Sequence, residues 1–286
     1  MLRLFTDTSA NLPAALLKQH HITVIPFSYT VNGREMVYPE DTDFDGAEFY
    51  NAMRDGAAVK TSMINPETAG RFFEAAMRAG DDVLYVGMSG GISGTAQAAA
   101  MAAVDLMDRY PERQIMTIDT YAASLGEGLM VLEAAQKAEQ GMSCREVGEY
   151  LLTRRPHMCQ FFTVDDLAYL KRGGRISGAA ALVGTVLGVK PILRGDETGH
   201  IVACGKVRGN KRAYAELANY YDTRALDKSE TIGIAHADNP AGAEQVLALL
   251  REKGFAGECL TVCYEPVTGA HVGPGTVALF FYGTEK

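Results

Sequence analysis

Residues 83–104 read VLYVGMSGGISGTAQAAAMAAV and contain no charged side chain. The run is long enough to cross a bilayer, but its four glycines and several hydroxyl-bearing residues argue against a membrane helix. Val83 to Val86 has the length and composition of a buried strand, small and polar residues follow it, and an alanine-rich stretch begins at Ala96. The stretch therefore predicts a strand, a glycine-rich loop and a helix, in that order.

The same strand-to-helix order recurs through the first half of the chain. Compact apolar segments at 2–6 and 115–118 each precede a stretch with helical periodicity, and a proline opens each of the predicted helices 13–20 and 66–79. Repeated βα units favour a parallel sheet with helices on both faces. We expect an N-terminal three-layer α/β/α domain with a mainly parallel sheet.

The pattern changes near Cys159, where short apolar segments alternate with turn residues and fewer helices. A short helix is predicted at 167–171 and longer helices near 208–221 and 240–253. Strands are predicted at 160–164, 191–193, 200–204, 231–235, 260–264 and 277–282. A chain of 286 residues favours two domains over one, so we expect domains at 1–158 and 159–286, the second an α+β domain with a mixed sheet.

Charge and cysteine content exclude several classes of protein. A formal net charge of −8 argues against a dedicated nucleic-acid-binding protein, which needs a broad basic face. The five cysteines show no Cys-x-x-Cys pair, which argues against a zinc or redox site and favours free thiols in the cytoplasm. The N-terminus lacks the apolar core of a signal peptide, so we expect no export and no integral membrane segment.

Three interpretations of the glycine-rich loop stay open on sequence alone. Gly87-Met88-Ser89-Gly90-Gly91 matches the G-x-S-x-G pattern of a serine hydrolase, with Ser89 as nucleophile and His271 later in the chain. A hydrolase elbow needs a helix directly behind the serine, however, whereas three residues, Gly90 to Ile92, separate Ser89 from the hydroxyl-bearing helix start at Ser93, Gly94 and Thr95. The second interpretation is an anion site at a helix N-terminus, and a sensor of a small phosphorylated ligand is a third possibility.

Thr61 and Ser62 repeat this arrangement, because they precede a helix that Pro66 begins. Hydroxyls at such positions serve either as caps of the helix or as ligand contacts. Open parallel sheets place ligands at the carboxyl ends of their strands, so two hydroxyl-bearing helix starts suggest one shared anion.

His271 precedes the last predicted strand within His271-Val272-Gly273-Pro274-Gly275, and we expect it on a tight loop with its imidazole available to a carboxylate. Gly273-x-Gly275-x-x-Ala278 imitates a dinucleotide fingerprint but leads into a strand rather than a helix. Two basic segments, 171–175 and 206–212, are either solvated faces or docking sites for an acidic or phosphate-bearing partner.

Taken in order, these motifs resemble the DegV family of bacterial fatty-acid-binding proteins along essentially the whole chain. The motifs are Asp7-Thr8-Ser9, Asn11-Leu12-Pro13, Lys60-Thr61-Ser62, Ser89 with Ser93-Gly94-Thr95, Asp119-Thr120, Asp165-Asp166-Leu167, Leu170 to Ser177, Lys190-Pro191-Ile192-Leu193, Lys206-Val207-Arg208-Gly209 and His271-Val272-Gly273-Pro274-Gly275. At two places this sequence departs from the family pattern, and both bear on the preferred length of the acyl chain. Ala96 stands where the family often has tyrosine, and Met63-Ile64-Asn65 separates Ser62 from Pro66.

The resemblance implies a two-domain binding protein for one long-chain fatty acid, without catalytic residues, cofactor or metal. It implies that Thr61, Ser62, Ser93, Gly94, Thr95 and His271 face the carboxylate. It also implies a fatty acid kinase as partner, which converts the presented acid to an acyl phosphate for lipid metabolism, with Arg175, Arg172 and Arg208 as contacts. Transient contact with a membrane surface is compatible with this role. A serine esterase using Ser89 is the alternative.

Overall fold

The computed structural model describes residues 1–38, 42–176 and 188–286. The strands are β1 (Leu2–Asp7), β2 (Thr23–Ile25), β3 (Ser28–Val31), β4 (Arg34–Val37), β5 (Val59–Ser62), β6 (Asp82–Gly87), β7 (Ile115–Asp119), β8 (Met158–Thr163), β9 (Val189–Gly195), β10 (Ile201–Arg208), β11 (Ile232–His236), β12 (Cys259–Cys263) and β13 (Val277–Tyr282). The helices are α1 (Ala14–Gln19), α2 (Ala47–Arg54), α3 (Pro66–Arg78), α4 (Thr95–Arg109), α5 (Leu125–Glu139), α6 (Cys144–Arg154), α7 (Ala168–Gly173), α8 (Asn210–Arg224), α9 (Pro240–Glu252) and α10 (Pro266–Val272).

A parallel sheet with the order β2-β1-β6-β7 organises the first half of the chain. Its central strand β6 is buried because residues 83–86 are apolar on both faces, as parallel strands covered by helices require. Helix α3 packs against α4, helix α5 packs against α6, and both pairs contact β6. The predicted α/β architecture with a mainly parallel sheet is confirmed, and the loop from β6 to α4 lies at the carboxyl edge of the sheet.

A small antiparallel sheet with the order β4-β3-β5 was not predicted. Its signal was present in the sequence, because Asn32 and Gly33 form the turn between β3 and β4 with φ values of 50° and 83°. Asn-Gly is the preferred pair for a two-residue hairpin in which both residues have positive φ. The sheet matters for the site because β5 ends at Thr61 and Ser62.

The second half of the chain forms a mixed sheet with the order β10-β9-β8-β13-β11-β12. Strands β11 and β12 are parallel, and the other neighbouring pairs are antiparallel. This agrees with the predicted α+β character. The predicted division after residue 158 falls at the first residue of β8, Met158–Thr163, and stays a prediction. Ser177 lies outside the described residues.

Helix α5 joins the two sheets. A Cβ atom added to Gly126 would lie 3.0 Å from the ring of Phe280 in β13, and one added to Gly233 in β11 would lie 2.6 Å from Cβ of Leu125. Glycine at both positions therefore permits the close contact of α5 with the mixed sheet. Within the described ranges, none of the helices combines the length and the apolar character needed to cross a bilayer.

Candidate functional site

A cavity of about 190 Å³ lies where the parallel sheet, strand β5, helix α10 and the mixed sheet meet. Most of its wall is apolar and includes Phe27, Met88, Phe162, Val267 and Phe280. One part of the wall, which we call the mouth, is polar and is formed by Thr61, Ser62, Ser93, Gly94, Arg175 and His271. The rest of the wall, which is mostly apolar, is called the chamber below.

Thr61 and His271 are in direct contact at the mouth. Oγ1 of Thr61 lies 2.9 Å from Nε2 of His271, and this hydrogen bond joins the end of β5 to the last turn of α10. Ser62, the next residue of β5, is exposed on the rim. Strand pairing of Thr61 with Tyr29 fixes the position of the hydroxyl.

The helix start at Ser93, Gly94 and Thr95 forms the opposite side of the mouth. Oγ of Ser93 lies 2.9 Å from Oγ1 of Thr95 and accepts a hydrogen bond from the Thr95 N–H at 3.3 Å. Ser93 and Gly94 line the cavity, whereas Thr95 is fully buried behind them. The positive end of the 15-residue helix α4 therefore faces the mouth, where it favours an anion.

The imidazole of His271 is neutral near pH 7. Burial lowers its pKa to about 4, and the positive charge of Arg175 acts in the same direction. A neutral imidazole carries one N–H donor and one acceptor nitrogen. Its ring therefore offers a hydrogen bond rather than a full positive charge.

The positive charge at the mouth belongs to Arg175. Its Nε donates to the carbonyl oxygen of Ile92 at 3.1 Å, and Nη1 donates to the carbonyl oxygen of Gly173. Within the described part of the chain these carbonyls, and not a carboxylate, are its partners, and burial lowers its pKa. A half-buried guanidinium without an anion attracts one, and Arg is well suited to bind a carboxylate.

The prediction that His271 lies on a tight loop is wrong. Helix α10 includes it, and the tight turn begins only at Gly273, which has a φ of 78°. The helix forms because Glu265 accepts hydrogen bonds from the N–H groups of Val267 and Thr268 and because Pro266 occupies the first turn. Glu-Pro is a weak helix-start signal in sequence, since glutamate is uncommon as an N-cap.

The alternative that Thr61 and Ser62 cap helix α3 is also wrong. Both residues belong to β5, and the side chain of Asn65 caps the helix by accepting the Thr68 N–H at 2.8 Å. At α4 the capping interpretation fails as well, because Gly94 occupies the cap position. None of Thr61, Ser62 and Ser93 therefore occupies the N-cap position of a helix.

Ser89 does not have the surroundings of a nucleophile. It is 1% exposed, its hydroxyl donates to the carbonyl oxygen of Gly199 at 2.9 Å, and it accepts the N–H of Gly91 at 3.1 Å. Helix α4 begins six residues after Ser89, too late for a hydrolase elbow. The structure therefore does not support the esterase alternative, and it assigns Ser89 to a link between two loops.

The other arginines named above lie outside the cavity. Arg172 is exposed, with its guanidinium carbon 4.7 Å from the centre of the Tyr169 ring, in a surface groove that also reaches Thr61 and His271. Arg208 is exposed at the end of β10. Among the described residues no group of three or more His, Cys, Asp or Glu side chains is placed to hold a metal ion.

Sequence reasoning missed most of the chamber, including Gln160 in β8 and the segment 121–123 after β7. Gln160 interrupts an otherwise apolar strand, Met158–Thr163, and that interruption is its only sequence signal. The alternation of β8 places Gln160 on one face and Phe161 on the other.

Comparison with known proteins gives consistent relatives over the whole chain. A family model described as "Uncharacterised protein, DegV family" matches residues 1–284. A DegV domain-containing protein from Clostridium perfringens is 34% identical over 99% of this chain and 98% of its own length.

Two solved structures share the fold. The structure of a DegV family protein from Thermus thermophilus, described as binding fatty acid, has a TM-score of 0.88 and 32% identity, and the match covers 99% of each chain. A structure described as a fatty acid binding DegV family protein from Streptococcus agalactiae has a TM-score of 0.87 and 27% identity, covering 100% of this chain and 99% of the other.

Proposed function

The chain belongs to the DegV family, and we propose that it binds one long-chain fatty acid, with the carboxylate at the mouth and the acyl tail in the chamber. The observation that carries the proposal is a cavity with a mostly apolar wall, at one part of which hydroxyls, an imidazole and a guanidinium lie together. The two structural relatives described as binding fatty acid support it.

Burial of the tail supplies the main driving force. About fourteen methylenes at about 0.8 kcal/mol each give on the order of 11 kcal/mol of transfer free energy. Loss of ligand freedom and desolvation of the carboxylate, several kcal/mol each, oppose it. The net remains favourable only if donors at the mouth replace the water that the carboxylate loses.

The mouth provides such donors. Thr61 and Ser93 offer hydroxyls, His271 offers a neutral imidazole, and Arg175 offers a charged guanidinium already held by two carbonyls. Ser62 and Gly94 lie on the rim, while Thr95 acts through Ser93. With a net charge of −8 the protein repels an acid at long range, so these short-range contacts determine affinity.

We assign the protein no covalent chemistry and no cofactor. The only serine with a hydrolase-like sequence, Ser89, donates its proton to a backbone carbonyl rather than to a base. A carboxylate held by hydroxyls and a neutral histidine stays unreacted, as a carrier requires. A cytoplasmic location fits the five free thiols.

We further propose that the bound acid is presented to a fatty acid kinase. The surface groove beside the mouth contains Arg172 and Arg175, and Arg208 is exposed, so all three are suited to contact an acidic partner. Arg172→Glu should reduce kinase-dependent formation of acyl phosphate while fatty acid binding is kept, because Arg172 lies outside the cavity. Unchanged acyl phosphate formation with both Arg172→Glu and Arg208→Glu would contradict the assignment.

Fatty acid binding itself is tested by mass spectrometry of the purified protein after denaturing extraction. We expect a long-chain acid in stoichiometric amount, and neither retained lipid nor binding in titration would refute the proposal. Ser93→Ala and His271→Ala, made separately, should weaken binding by about fivefold or more each without unfolding the protein, since each removes a donor to a charged group. Unchanged affinity in both would remove the site assignment.

A further inference from the structure

The cavity is too small for its proposed ligand as it stands. Small-molecule sites usually enclose roughly 300–1,000 Å³, whereas this cavity has about 190 Å³. If the protein takes a long-chain acid, as proposed above, part of the wall must move during uptake and release. The question is which part.

About half of the wall belongs to regular elements. Phe162 and Phe280 lie in adjacent strands of the mixed sheet, and Val267 lies in α10, so moving them would break ladder or helix hydrogen bonds. The other wall residues lie in loops. Two loops contribute several residues each, 88–94 and 120–124, whereas Phe27, Met63, Arg175, Gly199 and Tyr264 are single contributions from other loops. In the first of these described loops no residue has a left-handed φ.

The second segment, which we call the wall loop (residues 120–124), holds two strained residues. Tyr121 has a φ of 54°, and Ser124 has a φ of 52° with a ψ of −141°. Side chains larger than glycine rarely adopt these conformations, and each costs on the order of 1–3 kcal/mol. Tyr121, Ala122 and Ala123 line the cavity between these positions. The wall loop is therefore under tension at both ends.

One side chain of the mixed sheet bonds to the wall loop twice, in addition to the backbone hydrogen bond from the Ser89 N–H to the Ala122 carbonyl oxygen at 2.8 Å. Gln160 Oε1 accepts the Ala123 N–H at 3.0 Å, and Gln160 Nε2 donates to the Tyr121 carbonyl oxygen at 2.9 Å. Gln160 itself lines the cavity. A Cβ atom at Gly195 would lie 2.6 Å from its Nε2, so the amide is enclosed from behind.

Arg155 adds a weaker restraint outside the cavity. Its guanidinium carbon lies 4.0 Å from the centre of the Tyr121 ring, and Nη1 donates to the Asp119 carbonyl oxygen at 3.0 Å. Both contacts hold the loop from its surface side. Gln160 is thus the contact that faces the ligand.

We propose that Gln160 is a positioning residue that clamps the strained wall loop, and that the acyl chain enters and leaves when this clamp opens. The two hydrogen bonds offset the strain while the loop is closed. Their loss frees Tyr121 and Ser124 to relax, and the wall beside the chamber widens. Gln160 therefore sets the rate of fatty acid exchange rather than the affinity.

The test measures exchange of cis-parinaric acid, a fluorescent long-chain fatty acid, by stopped flow with the full chain. Gln160→Met keeps the side-chain length and removes both hydrogen bonds, so the association and dissociation rate constants should each rise about tenfold, with less than a threefold change in Kd. Gln97→Met, on the exposed face of α4, is the matched control and should leave both rates unchanged. A purely structural role would lower the melting temperature and raise Kd without faster association.

Ser124→Gly tests the strain from the opposite direction. Glycine adopts this conformation without penalty, so the closed loop becomes more stable and both rate constants should fall about fivefold. This variant decides the matter if Gln160→Met does not fold. Rates that stay at the wild-type values in Ser124→Gly, or unchanged association in a folded Gln160→Met, overturn the clamp. Absence of cis-parinaric acid binding to the wild-type protein would instead refute the proposed function.

Discussion

The mouth and the chamber of the cavity differ in how the chain builds them. The mouth uses residues close to element ends, such as Thr61 at the end of β5 and Ser93 before α4, where backbone and side-chain donors are exposed together. The chamber uses apolar side chains of neighbouring strands, such as Phe162 of β8 and Phe280 of β13, which sheet pairing brings close together. Under the proposed function the mouth binds the acid head, and the chamber supplies volume for the tail.

Helix α10 has one titratable group with a shifted pKa at each end. Burial raises the pKa of Glu265, at the start of the helix, to about 7, and lowers the pKa of His271, in its last turn, to about 4. The cause is the same at both ends, since a low-dielectric environment disfavours the charged form of any group. Both side chains are thereby driven toward neutrality, which leaves Arg175 as the charge that faces a bound anion.

Filling the chamber should have the largest effect on binding. Val267→Trp places an indole in the apolar space, and displacing about five methylenes of the tail costs about 4 kcal/mol, or several hundredfold in Kd. The measurement is titration with a saturated sixteen-carbon acid. Val104→Trp, on the exposed face of α4, is the matched control. Wild-type affinity in a folded Val267→Trp protein would place the tail elsewhere.

The sequence identified the mouth better than the chamber, and the residues show why. Ser93, Gly94 and Thr95 form one segment whose small residues and helix start were visible locally. Thr61 and His271 are 210 positions apart and meet only because β5 pairs with β3 and α10 packs against both. Their pairing was suggested by family resemblance, not by spacing.

The chamber could not be derived from local pattern. Phe27, Phe162 and Phe280 are ordinary apolar residues in their own segments, and only the topology turns them toward one space. In the sequence, Gln160 stands out only as one polar residue within the apolar segment 158–162. Its hydrogen bonds to Tyr121 and Ala123 depend on a loop conformation with positive φ, and a non-glycine residue gives no sequence signal for such a conformation.

Glu265 gives the next largest effect, seen in stability rather than affinity. Its pKa in the folded protein, about 7, is above the ordinary value of 4.5, so the folded state keeps a proton that the unfolded state has lost. The contribution of Glu265 to stability is therefore greatest below pH 4.5, and it falls by up to about 3 kcal/mol as pH rises toward 7. Glu265→Gln should remove that part of the decline in urea unfolding between pH 5 and 8.

The pH dependence of the wild-type protein alone does not isolate Glu265, because other buried groups titrate too. Buried Asp7 and Glu127 also have raised pKa values, and their effect has the same sign. The lowered pKa of His271 acts on the acid side, where stability is lost as pH falls from 6.5 to about 4. Glu252→Gln, on the exposed surface of α9, controls for the charge change. An unchanged pH profile in Glu265→Gln would show that Glu265 is not the group responsible.

Thr61→Val should have the smallest effect and separates the mouth from the chamber most cleanly. It removes one donor to the carboxylate and the hydrogen-bond partner of His271 Nε2, which corresponds to about 1 kcal/mol, or roughly fivefold in Kd. Thr153→Val, on α6, is the control.

A chain-length series tells the head from the tail. The informative measurement is Kd for saturated acids of increasing length in both wild type and Thr61→Val. Because Thr61 contacts the head and the chamber contacts the tail, the gain per methylene should be the same in the two proteins, and the lines should be parallel. Converging lines would mean that the hydroxyl at the mouth also shapes the space for the tail, and the two regions would then have to be treated as one.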